Sequence, residues 1–65
     1  MKELVFVFRF KGSICHYYAK TLIGVSVSGT CLSVNLTNGN YPYELEDCEI
    51  LGYMTVKDLN RLFNK

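Results

Sequence analysis

The chain predicts an α+β fold: a small antiparallel sheet or partly open β-barrel of about four to six short strands, with one helix at the C-terminal end. Three observations carry that expectation. Segments such as "ELVFVFRF", "TLIGVSVS" and "TCLSVNLT" alternate in side-chain character with the period of two that a pleated strand imposes. After the last of these stands Asn38-Gly39, the dipeptide best able to hold two successive left-handed backbone positions. Past Thr55 the apolar spacing becomes that of a helix.

In chain order, Leu4, Phe6, Phe8 and Phe10 share one parity, and Val5, Val7 and Arg9 share the other. A strand apolar on both faces is expected to be central or covered on both sides. Lys11-Gly12 then punctuates the chain, and a two-residue reversal there sets Phe8 against Cys15, Phe6 against Tyr17 and Val7 against His16. Lysine is a poor occupant of a positive-φ site, so a longer loop with the register moved by one competes with it, as does a short helix from Ser13. Ile23, Val25 and Val27 form the dry face of the next strand, and Leu32, Val34 and Leu36 that of the strand after it. A reversal at Ser28-Gly29 opposes Val25 to Leu32 and Ile23 to Val34. With Asn38-Gly39 as the loop, Leu36 meets Tyr41, Val34 meets Tyr43 and Leu32 meets Leu45, all on one dry face. A three-stranded meander follows.

Pro42 lacks an N–H, which places its strand at a sheet edge or turns that position outward. An acidic bend comes next, then a brief apolar run at Ile50-Leu51 that suits another short strand. The helix starts from a Thr55 cap with Asp58 three residues on. Met54 can staple to Leu59, and Val56, Leu59, Leu62 and Phe63 line the apolar side. A helix of about eight or nine residues does not hold alone, so it must dock on the sheet. No linker, low-complexity tract or repeat stands out.

The 65 residues are expected to form one small β-rich domain, residues 1–65, around a single thin core. The composition, 49% hydrophobic with five Tyr and four Phe, is too apolar for disorder. It also lacks the run of about 18 apolar residues that a membrane helix needs, so no membrane association is expected. Arg9 and Lys11 interrupt the opening run, which has no small-residue cleavage site and reads as strand rather than leader. Three cysteines, Cys15, Cys31 and Cys48, cannot all pair with one another, which favours a reducing, cytoplasmic setting. Small size with high hydrophobicity also favours a homodimer or other homo-oligomer, which hides apolar surface.

The net charge of +1 conceals a division: residues 1–20 carry +3, residues 21–52 carry −4 and residues 53–65 carry +2. Segregated charge steers partners. The acidic residues Glu44, Glu46, Asp47 and Glu49 fit no EF-hand spacing, and they suit either plain solvation or docking to a basic partner protein. Tyr41 and Tyr43, flanking Pro42 at the expected edge, add amphipathic rings to that surface while also matching core partners. A small acidic surface of this kind can act as an inhibitor by occlusion, a device common among proteins of phages and other mobile elements. The alternative is single-stranded nucleic-acid binding through Arg9, Lys11, Tyr18 and Lys20, cations beside a ring on which a base can stack.

His16 is the one histidine and the first candidate for acid–base or metal chemistry. Its neighbour Cys15 points to the opposite strand face, and no C-x₂₋₄-C pair brings two thiolates to one zinc knuckle. Like charge at Asp47 and Glu49 disfavours a Cys48 thiolate. No catalytic, cofactor or metal constellation is expected, and an enzymatic or metal site at His16 and the cysteines stands as the third reading. In general outline the pattern resembles SH3-like and other small β-barrels, with nothing specific enough to carry residues over. The sequence thus predicts a non-catalytic protein-binding or assembly module.

Overall fold

The computed structural model describes residues 3–64. β1 (Leu4–Phe10) is apolar on both parities, and both of its faces are covered. It is the middle strand of a sheet ordered β2 (Ser13–Tyr18), β1, β6 (Cys48–Thr55). Lys11 and Gly12 take φ of 50° and 84°, the two successive positive values of a tight reversal, so the expected pairs Phe8–Cys15, Phe6–Tyr17 and Val7–His16 all form. The lysine accepts that conformation while its Nζ lies over the Phe10 ring, 5.4 Å from the centroid, and its amide donates to Asp47 O at 2.9 Å. Neither the longer loop nor a helix from Ser13 occurs.

The second sheet is the meander β3 (Leu22–Ser28), β4 (Cys31–Leu36), β5 (Gly39–Glu44), with Pro42 on an edge strand as expected. Its registers differ from expectation by two residues. Leu36 pairs with Gly39, Val34 with Tyr41 and Leu32 with Tyr43, because Thr37-Asn38 form the loop and Gly39 alone takes positive φ, at 149°. Likewise Val25 pairs with Val34 and Val27 with Leu32 around a Gly29-Thr30 loop, with Gly29 at φ 60°. A shift of two leaves every side chain on its original face, so the dry face survives. Two residues of that face are not dry: a bulge between Leu22 and Gly24 turns Ile23 out to 72% exposure, and Val27, though paired with Leu32, stands 54% exposed at the hairpin end of the open edge strand.

The sheets do not close into a barrel. No ladder joins β2 to β3 or β5 to β6; 3₁₀ turns at Ala19–Thr21 and Leu45–Asp47 carry the chain from one sheet to the other. Between the sheets Phe6, Phe8, Leu32 and Val34 are buried, with Phe10, Cys15, Tyr17, Tyr43 and Leu45 among the side chains packed round them. On the other face of the first sheet lies α1 (Val56–Phe63), which buries Leu59 against Val5 and Val7, with Met54, Val56 and Leu62 alongside. Thr55 Oγ1 accepts the Asp58 amide, the expected cap. Phe63 departs from its expected place in the stripe and stands 54% exposed. A bulge on β6 inserts Leu51 opposite Val7/Phe8, next to Gly52 at φ 100°, and so delivers Leu51 to the helix side.

A repeat absent from the sequence pattern governs the whole arrangement. The hairpin–3₁₀–strand unit β1–β3 recurs as β4–β6 at an offset of 26 residues: Ser13 corresponds to Gly39, Tyr18 to Glu44, Ala19 to Leu45 and Leu22 to Cys48. Each unit lends its last strand to the other, β3 pairing with β4 and β6 with β1. The Lys11 amide donates to Asp47 O as the Thr37 amide donates to Thr21 O. Such reciprocity is that of a twofold. Tyr17 and Tyr43, 26 residues apart, share a hydrogen bond between their hydroxyls at the point where the two units meet.

Candidate functional site

The twofold makes two corners at which the chain passes between sheets, and they carry opposite chemistry. At the first, Lys20 faces Glu3 across 3.7 Å. At the second the corresponding residues are acidic: Glu44 ends β5, and Glu46 and Asp47 lie in the 3₁₀ turn. Backbone bonds pin this corner from two directions, Leu45 N to Thr30 O at 2.8 Å and Lys11 N to Asp47 O at 2.9 Å. Glu44 and Glu46 are exposed beside an open cleft of about 280 Å³ lined by Gly29, Thr30, Glu44, Leu45 and Glu46. Glu3, Glu49 and Asp58 each have a cation within 4 Å, and among the described residues Glu44, Glu46 and Asp47 have none.

The structure divides the six residues expected at a protein-binding surface. Glu44, Glu46 and Asp47 stay together at the corner. Glu49 is engaged by Arg9 at 3.2 Å. Tyr43 belongs to the core, its ring 5.0 Å from both Phe8 and Phe10 and its hydroxyl on Tyr17. Burial, and after it the Tyr17 hydrogen bond, holds the Tyr43 phenol well above its usual range. Tyr41 is exposed on the β5 edge, 6.2 Å from the Tyr17 ring. Gly29, Thr30 and Leu45 were not expected at this surface; the Cys31–Glu44 pairing sets the β3–β4 loop beside the acids.

The basic residues are dispersed. Arg9 lies near the hairpin end of β1 and Lys20 beyond Tyr18 at the other, Val5 being the partner of Tyr18. Four residues of strand, about 13 Å, separate Arg9 from Val5. Arg9 and Lys20 both face carboxylates, and Lys11 covers Phe10. Tyr18 is exposed and meets His16 edge-on.

His16 packs on the helix side of β2 against the rings of Tyr18 and Phe63, at 5.8 and 6.4 Å, while Cys15 enters the core between the sheets. All three cysteines are free, and no group of three or more His, Cys, Asp or Glu among the described residues could hold a metal. Burial first, then Asp47 and Cys15, raises the Cys48 thiol, whose Sγ donates to Glu44 O at 3.3 Å. Among the described residues no helix is long and apolar enough to cross a membrane. No family model matches the chain, and neither a curated protein nor a solved structure matches it.

Proposed function

We propose that the protein is a non-catalytic binding module whose acidic corner docks a basic segment of a partner protein, acting by occlusion or assembly. The observation that supports this most directly is the contrast among carboxylates: Glu3, Glu49 and Asp58 are matched by cations, whereas among the described residues Glu44, Glu46 and Asp47 are not, and Glu44 and Glu46 line an open cleft with Leu45. Exposed like charge next to apolar surface favours a ligand that brings both a cation and an aliphatic stem, as lysine and arginine do. Tyr41 is exposed on the same strand but leaves its opposite face, so the corner itself is made by the acids, Leu45 and the Gly29-Thr30 loop. The three free thiols agree with a reducing, cytoplasmic compartment, and the apolar side chains left exposed support self-association as a second property.

The test is capture from the native lysate with wild type and with the Glu44→Lys/Glu46→Lys variant, each with and without nuclease. A partner that survives nuclease, weakens with salt and is lost by the variant is the expected result. Equal capture by both chains would refute the acidic-corner reading, and a partner lost to nuclease would favour nucleic acid.

A further inference from the structure

We propose that the outer edge of β3 is a self-pairing surface, on which a second copy of the chain adds its own β3 antiparallel about a twofold through Ser26. This rests on the self-association part of the reading above and is independent of the acidic corner. Four strands have an open edge: β2 and β6 in one sheet, β3 and β5 in the other. An open edge presents unpaired N–H and C=O groups, and proteins usually blunt it with charge, proline or a bulge.

Three of the four are blunted. On β5, ladder bonds alternate from the Leu36–Gly39 pair that closes the loop, so residues 40, 42 and 44 face outward, and one of these is Pro42. On β2 the backbone groups of residues 14, 16 and 18 face outward, so antiparallel self-pairing centres on His16 and brings Lys20 of the second copy opposite Gly12, beside Lys11, like charges at both ends of the contact. On β6, Glu49 and the bulge at Leu51 interrupt the edge.

β3 differs. Residues 21–43 contain no charged side chain at all. From Gly24 to Ser28 the strand is regular and free of proline, its bulge lying beyond Gly24. The Ser28–Cys31 pair closes a two-residue loop, so Ser28 and Ser26 bond inward to β4, while the N–H and C=O of Val25 and Val27 face the open side. Pairing about Ser26 matches Val25 with Val27 of the second copy and the reverse, making four new backbone hydrogen bonds. It also gives the half-exposed Val27 an apolar neighbour. A strand without charge needs no complementary partner, so an identical copy suits it. The patch is small, and the association is correspondingly weak.

Sedimentation of the wild type between about 1 μM and about 1 mM brackets the affinity of such a contact. Reversible dimerisation is expected, with amide exchange at Val25 and Val27 slowing as concentration rises. Ser26 is exposed, so Ser26→Lys and Ser26→Glu keep the fold. Each variant alone places like charges face to face on the dyad and should weaken the dimer at least tenfold, while an equimolar mixture of the two should associate again. A wild type that stays monomeric overturns self-association and this proposal together. A dimer unaffected by either variant, or a mixture no more associated than its components, overturns the β3 edge alone.

Discussion

Tyr43 shows how one hydroxyl ties two halves of a small chain together. Its ring closes on Phe8 and Phe10 and its oxygen meets that of Tyr17, so that Tyr43→Phe leaves the Tyr17 hydroxyl without its partner in a half-buried place. The loss of one such bond is worth about 1 kcal/mol, read as a lower urea midpoint at unchanged slope. The phenol also gives the substitution a pH signature. In the folded chain Tyr43 keeps its proton above the ordinary phenol pKa of 10.0, whereas the unfolded chain releases it there. Stability from this group is therefore complete below about pH 10 and declines as pH rises through the folded value. Tyr43→Phe should flatten that alkaline decline; a decline as steep as that of the wild type would show that other groups cause it.

At the scale of elements, what was legible is what short-range chemistry decides. The Thr55–Asp58 spacing foretold the helix start, and the same oxygen and amide meet at 3.2 Å. Because α1 is only two turns long, its first turn is a large share of it, and Thr55→Ala is expected to cost about 1 kcal/mol in thermal or urea unfolding. An unchanged midpoint would mean that docking of Leu59 alone holds the helix. Strand faces were legible for the same reason, parity being written in alternation. Absolute register was legible at the first hairpin, where Lys11-Gly12 fixes it, and not in the meander. A slip of two keeps every face, so Leu32–Tyr43 and Leu32–Leu45 are equal by pattern, and only the loop conformation separates them. The chain uses Gly39 for positive φ and leaves Asn38 out of that role. The acids of the cleft were legible as a run, whereas its other wall was not, the loop being expected at Ser28-Gly29 and lying at Gly29-Thr30.

The whole molecule is two copies of one unit clasped about Tyr17 and Tyr43, the single identical pair between residues 4–28 and 30–54 at an offset of 26. Identity was too sparse for sequence reading to find the repeat, because only apolar parity has to recur: Phe6 with Leu32, Phe8 with Val34, Phe10 with Leu36. α1 breaks the symmetry by covering one outer face and leaving the other to solvent. The residues follow suit. Val5 and Val7 under the helix are 0% exposed, while their counterparts Cys31 and Ser33 are only half-buried on the open sheet. This difference sets opposite costs for formally equivalent exchanges. Val7→Ser removes apolar burial and strands a hydroxyl beneath Leu59, which sums to about 3 kcal/mol or more. Ser33→Val adds a β-branched residue to a strand face that no helix covers, and its effect should stay within about 0.5 kcal/mol. Urea midpoints measured at equal slopes distinguish the two. Similar costs at positions 7 and 33 would mean that the helix does not seal the first sheet, and that the asymmetry responsible for one dry and one wet outer face is wrongly drawn.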